Sequence, residues 1–225
     1  MNFLITGAER SGTTFLGRSL GRCPGVEYFR EAFNPAYRRY GNERVWDSAD
    51  LHALERILDH PCSGIKILYT HGFPALWDRL AAEQALRVIH LVREDMIEQW
   101  VSTNVMMRTG RAVWFPGESE IEIESFSLDP IQAEERFWYV FFWRDKIRET
   151  FGGRAYLEIR FEDLFATGTV ASAFAFLGLE YRDEYRVDTV KTPRKTAREL
   201  VTNYDDVKAA LERVLTARRL EGRCC

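Results

Sequence analysis

Three groups of residues in this chain could do chemistry on an anion. The first is Gly7-Ala8-Glu9-Arg10-Ser11-Gly12-Thr13-Thr14, which follows the apolar Phe3-Leu4-Ile5 and leads into a helical pattern from Thr13 to Gly21. A glycine-rich turn feeding a helix N-terminus binds anions, because its N–H groups point inward and the helix dipole favours negative charge. Arg10 adds a planar fork that can bond two oxygens at once, and Thr13 and Thr14 add hydroxyl donors. The second is Arg93, which ends the apolar run Val88-Ile89-His90-Leu91-Val92. The carboxyl end of a strand in an open parallel sheet faces the ligand crevice, so a cation there can hold a second phosphate. The third is the basic stretch Lys191-Thr192-Pro193-Arg194-Lys195-Thr196-Ala197-Arg198, the densest cationic segment of the chain.

The glycines at 7 and 12 stand at the spacing of the nucleotide-triphosphate loop G-x-x-x-x-G-K-[ST], but Thr13 occupies the lysine position. The cation is displaced to Arg10, two residues before the second glycine. The strand 88–92 ends in Arg93 rather than in a magnesium-binding Asp. Such a site is poor at holding magnesium and rich in direct donors. The plain alternative is a tight strand–helix turn with an arginine on its surface.

Positioning these groups requires alternating strands and helices. Phe3–Ile5, Ile65–Tyr69, Val88–Val92 and Ala155–Phe161 read as strands, and short apolar runs of this kind suit a buried parallel sheet. Helices are predicted at 51–58, from Glu94 onward, from Pro130 to about Phe151, and near 169–176. Asn203 reads as the cap of a last amphipathic helix. The aromatic run Phe137–Trp143 is apolar nearly all round and is expected to be buried. Residues 108–129 lack periodicity and form an irregular segment in which Trp114 and Phe115 are candidates to meet an acceptor. The expectation is an α/β fold of one domain over residues 1–225, with a mostly parallel central sheet flanked by helices.

With 46% hydrophobic residues and a net charge of −3, the chain can build a core and lacks the overall basicity of a nucleic-acid binder. No apolar stretch approaches the ~20 residues of a membrane span, and the first residues do not read as a secretory signal. Cys23, Cys62, Cys224 and Cys225 have neither metal-ligand nor disulfide spacing. A cytoplasmic protein with two reduced core thiols is expected. The role of the terminal Cys224-Cys225 pair stays open.

The run Arg10-Ser11-Gly12-Thr13-Thr14-Phe15-Leu16 resembles the 5′-phosphosulfate loop of sulfotransferases, most closely in their carbohydrate and small-metabolite branch, trehalose- and Nod-factor-type. The resemblance implies a P-loop-like three-layer fold and 3′-phosphoadenosine-5′-phosphosulfate (PAPS) as donor, with no metal. It implies that Arg10, Ser11, Gly12, Thr13 and Thr14 hold the 5′ end. Arg93 and Ser102 resemble the 3′-phosphate motif, although they stand nine residues apart where the cytosolic branch has eight. A basic loop also closes over the 3′-phosphate in this family, which makes Arg194 and Lys195 candidates.

A hydroxyl acceptor, here a carbohydrate or glycosylated metabolite, needs a base. Glu31 lies among aromatic residues soon after the first helix, where the family's carbohydrate branch carries a glutamate base. His71 ends Lys66-Ile67-Leu68-Tyr69-Thr70-His71, similar to the base segment of the cytosolic branch, and has a suitable intrinsic pKa. Lys66 either contacts the donor or flanks the strand. His52, His60 and His90 read as structural, and so does Phe161-Glu162-Asp163-Leu164. Two other functions fit the same loop: a P-loop kinase for a small metabolite, and a non-catalytic anion-binding protein on this scaffold.

Overall fold

The computed structural model describes residues 1–34, 51–111, 121–188 and 195–222. Trp114, Phe115, Arg194, Cys224 and Cys225 lie outside the described residues. In chain order the elements are β1 (Asn2–Gly7), α1 (Thr13–Leu20), β2 (Glu27–Tyr28), α2 (Leu51–Leu58), β3 (Ser63–Leu68), α3 (Pro74–Ala82) and β4 (Arg87–Val92). They continue with α4 (Met96–Thr109), α5 (Pro130–Phe151), β5 (Tyr156–Arg160), α6 (Thr167–Phe176), α7 (Ala197–Leu200) and α8 (Tyr204–Leu220). Two compact units divide the chain: Met1–Glu94 with Arg144–Val187, and Asp95–Trp143 with Asp188–Cys225.

The first unit carries the sheet, in the order β2-β3-β1-β4-β5, with every neighbouring pair parallel. Its helices flank the sheet, α1 against β1 and β3, α2 against β3, and α6 against β5. This is the α/β architecture expected. A parallel strand is covered on both faces and therefore reads as an unbroken apolar run; Phe3, Leu4 and Ile5 in β1 and Val88, Ile89 and Leu91 in β4 are all buried. The register sets Gly7 beside both Leu68 and Leu91, so β1, β3 and β4 end together. The phosphate-loop candidate, the His71 corner and Arg93 all leave from that edge.

In the second unit, α4 begins at Met96 rather than Glu94, because Asp95 is its N-cap and accepts a bond from Glu98 N at 2.9 Å. Asn203 precedes α8 but does not cap it through its side chain. Its amide instead binds the backbone of Leu128 in both directions, at 3.0 Å from N–H and 2.7 Å to the carbonyl. Thr196 and Glu199 form a capping box on the short α7.

α5 departs from expectation. Only one stripe is buried, including Ala133, Phe137, Val140, Phe141 and Ile147, while Phe142 is 57% exposed and Ile131 69%. Cys23 is buried but Cys62 only half-buried, so one of the two expected core thiols lies nearer the surface. His52 and His60 are exposed and His90 is fully buried. Among the described residues, no helix is long and apolar enough to cross a membrane.

Candidate active site

The loop after β1 is held from several sides, all within the first unit. Gly7 accepts a bond from Tyr69 N at 3.1 Å, and a Cβ on Gly7 would lie 2.4 Å from the Leu91 carbonyl oxygen. Ser11 Oγ donates to the Ala8 carbonyl at 2.7 Å, closing the turn. Gly12 sits at the N-cap of α1 with φ +87°, and a Cβ there would meet Leu164 Cδ2 at 2.3 Å. Only glycine satisfies both the left-handed backbone and that approach. Arg10 also has a positive φ, 64°, unfavourable for a residue with a side chain. α1 starts with no side-chain cap on its first amides, a condition that suits anion binding at a helix N-terminus.

Arg93 is 6% exposed and donates through Nη1 to the Arg10 carbonyl at 3.1 Å. Its guanidinium lies 4.3 Å from the centre of the Phe161 ring. Arg144 supports it from behind, donating to the Arg93 carbonyl at 2.8 Å and approaching the Glu94 carboxylate at 3.7 Å. Burial, and then the positive charge of Arg93, lower the Arg10 pKa to about 10. The half-buried Arg10 and the buried Arg93 repel each other, and an anion bound beside both would relieve that repulsion. Phe161 and Leu164, read as structural, therefore have identifiable tasks: one lies against Arg93 and the other packs on Gly12.

A second cluster joins the loop to the base candidates. Backbone pairing between β2 and β3 extends past Tyr28, with Phe29 N bonding Gly64 O and Lys66 N bonding Arg30 O, each at 2.8 Å. This carries Glu31 to Lys66, which stands opposite Ile5 of β1 in the sheet register. The buried Lys66 ammonium forms an ion pair with Glu31 and donates to Thr14 Oγ1 at 2.8 Å. Asn34 Nδ2 donates to Glu31 Oε2 at 2.6 Å, and His71 Nε2 lies 4.0 Å from the same oxygen. Thr70 donates to the Glu9 carboxylate, tying the corner after β3 to the loop a second time.

Electrostatics set the charge states of the cluster. Burial pushes the Glu31 pKa up, but the Lys66 ammonium, with His71 and Asn34, outweighs it and holds the carboxyl below its usual range. Burial lowers the His71 pKa, and Glu31 offsets this only in part. Burial likewise lowers Lys66 against the pull of Glu31. At neutral pH the cluster therefore holds a carboxylate and a neutral imidazole.

A polar network centred on His90 links β4 and β5. His90 bonds the Tyr69 hydroxyl through Nε2 and the Tyr156 hydroxyl through Nδ1, the latter at 2.6 Å. Tyr156 donates to Glu158 at 2.7 Å, and Arg148 grips Glu158 with two bonds of 2.8 and 2.7 Å. Burial raises the Glu158 pKa, but bonds from Arg148, His90 and Tyr156 hold it well below the ordinary carboxylate range. Tyr156 and Glu158 are two apart on one strand and so share a face, which was the available signal.

The first unit thus brings Arg10, Ser11, Gly12, Thr13, Thr14 and Arg93 together at the sheet edge that also carries His71. Glu31 reaches the same edge through Lys66, whose part the sequence left undecided. Ser102 and Lys195 belong to the second unit: Ser102 is buried on α4, and Lys195 Nζ donates to the Ile123 carbonyl at 3.4 Å.

No protein-family model matches the chain, and no curated protein matches its sequence. Its fold does match solved structures. A sulfotransferase from Alicyclobacillus acidocaldarius aligns with a TM-score of 0.56 and 18% identity, over 100% of this chain and 96% of that one. The sulfotransferase domain of the Synechococcus PCC 7002 olefin synthase aligns at 0.51 and 15% identity, over 96% and 94% of the two chains. The sulfotransferase domain from the curacin biosynthetic pathway aligns at 0.52 and 18%, over 81% and 75%. At these identities the likeness is one of fold.

Proposed function

We propose that this chain is a PAPS-dependent sulfotransferase acting on a hydroxyl of a small acceptor, a carbohydrate or glycosylated metabolite, in the cytoplasm. One observation carries the reading. Lys66 bonds Thr14 of the anion loop and Glu31 of the base pair at the same time, so anion-holding and proton-accepting groups form one connected cluster. The uncapped start of α1, the close-packed glycine at 12 and the neighbouring Arg10 and Arg93 suit a donor that bears anionic groups at both ends.

When bound, PAPS would supply an activated sulfuryl group for in-line displacement, its sulfur–oxygen bond to the 5′-phosphate breaking as the bond to the acceptor oxygen forms, with adenosine-3′,5′-bisphosphate as the leaving group. Arg10 and the amides of residues 11–14 hold the 5′ end and neutralise charge there, a role assigned to them and to no metal. Arg93 holds the 3′-phosphate, and Ser102, Arg194 and Lys195 are assigned to the same phosphate on the strength of the sequence resemblance. Glu31 takes the hydroxyl proton. Lys66 keeps Glu31 ionised and oriented, at the expense of some basicity, and neutral His71 is the alternative acceptor at the same oxygen.

Ligand-dependent melting tests the reading. Adenosine-3′,5′-bisphosphate without metal should stabilise the chain by about 2.7 kcal/mol at a hundredfold excess over its dissociation constant. Magnesium-ATP should not. Transfer of labelled sulfate to a panel of hydroxyl acceptors then follows, with Glu31→Gln expected to lose about 10²–10⁴ in turnover. Stabilisation by magnesium-ATP alone would replace the proposal with a kinase.

A further inference from the structure

The polar network around His90 joins the two strands that flank β1. Tyr69 follows β3, His90 lies in β4, and β1 runs between those strands in the sheet. The bond from the Tyr69 hydroxyl to His90 Nε2 therefore spans the width of β1, the strand that leads into the anion loop. One proton sets the direction of the whole chain of bonds. The Tyr156 hydroxyl hydrogen goes to Glu158 at 2.7 Å, so the Tyr156 oxygen is left to accept from His90 Nδ1 at 2.6 Å. Burial lowers the His90 pKa and keeps the ring neutral, with its proton on Nδ1 and a bare Nε2. Nε2 then accepts from Tyr69. Arg148 fixes the far end by gripping Glu158 with two bonds.

Each end of this cross-tie also holds the loop. On the β3 side the Tyr69 N–H donates to the Gly7 carbonyl at 3.1 Å, and the neighbouring Thr70 hydroxyl donates to Glu9. On the β4 side Arg93, just past the end of the strand, donates to the Arg10 carbonyl at 3.1 Å. Between these holds Arg10 keeps a φ of 64°, a conformation that persists only where its surroundings enforce it. We propose that Tyr69 and His90 are positioning residues for the anion loop: their bond fixes the distance between the two holds and keeps the loop shaped to receive an anion before one arrives. Such preorganisation removes an ordering cost from binding. Both side chains are buried and act through the loop rather than on the ligand. The inference deepens the proposed function and rests on it only for the identity of the ligand.

Three variants of the full chain test this. Tyr69→Phe keeps the ring and deletes the donor. His90→Asn keeps an amide at the place of Nδ1 but falls short of Tyr69. His90→Gln is the conservative rescue: its amide oxygen stands near the place of Nε2 and can accept from Tyr69, while the contact with Tyr156 is given up instead. Each loses one bond of the network, and melting curves record what that costs the fold. Hydrogen exchange of the ligand-free chain, read by mass spectrometry on peptides covering residues 7–14, should be faster than native in Tyr69→Phe and His90→Asn and restored toward native in His90→Gln. Calorimetry with adenosine-3′,5′-bisphosphate should follow the same order, with about tenfold weaker binding in the first two. A purely structural role would make both readouts follow Tm and treat His90→Asn and His90→Gln alike. Should His90→Asn not fold, Tyr69→Phe against His90→Gln makes the same comparison. Native loop exchange in Tyr69→Phe, no rescue by His90→Gln, or faster exchange with unaltered affinity would each overturn the proposal. If the native chain does not bind the bisphosphate, the sulfotransferase reading falls, while the exchange measurement still decides the role of Tyr69 and His90.

Discussion

Replacing Lys66 with methionine removes a charge while keeping most of the stem. Lys66 is 3% exposed and is bonded to Glu31 and Thr14 together. Deleting one partner of a buried pair strands the other charge and costs about 3–5 kcal/mol. For a chain of this size that corresponds to a fall in Tm of roughly 10 °C. The loss should depend on pH. In the native chain burial pushes Glu31 up, but Lys66 and its neighbours hold it below the ordinary value of 4.5. Ionised Glu31 therefore stabilises the fold above that value, and the contribution disappears as pH falls through the folded-state pKa. In Lys66→Met burial faces weaker opposition, so the Glu31 pKa rises. The variant should be most impaired at neutral pH, and its difference from the native chain should narrow as pH falls through about 4.5. Urea denaturation at both ends of that window measures the difference. Adding Glu31→Gln to Lys66→Met should recover most of the loss, because no stranded ion remains. A pH-independent loss, or strictly additive effects of the two substitutions, would refute the argument.

Gly12→Ala should cost about 1–3 kcal/mol in urea denaturation, because it adds a contact with Leu164 to a left-handed backbone. Gly25→Ala has a similar φ of +83° but nothing within 4 Å, and should cost less. Arg93→Lys keeps the charge but loses the fork that reaches Arg10 and stacks on Phe161; calorimetry should show adenosine-3′,5′-bisphosphate binding about ten- to a hundredfold weaker. Burial lowers the pKa of His90 and of His71, so both are neutral in the fold and take up protons more readily when unfolded. Melting temperature should therefore drop as pH falls below about 6.5, and His90→Gln should flatten part of that decline.

What was legible in the sequence followed from local rules. The glycines at 7 and 12, the run into α1 and the strand ending at Arg93 are short-range patterns, and the structure sets them at one sheet edge. Lys66 was not legible, because its role depends on β3 lying beside β1, a pairing across some sixty residues. β2, two residues long, is too short to show any alternation. Asn203 had the right type and position for a cap, yet Leu128 offered both a donor and an acceptor and won its side chain. On α5 apolar composition suggested burial all round, but composition does not say whether both faces of a helix find partners.

The two compact units are interleaved along the chain. The first is closed by residues 144–187, and the second draws on both 95–143 and 188–225. During synthesis four strands of the sheet emerge before residue 94, but the edge place beside β4 stays open until Tyr156–Arg160 arrives. A nascent chain paused between these points exposes β4 as a bare parallel edge, open to any other extended segment. No single cut liberates either unit whole, so a fragment ending near residue 94 should aggregate rather than behave as a small version of the first unit.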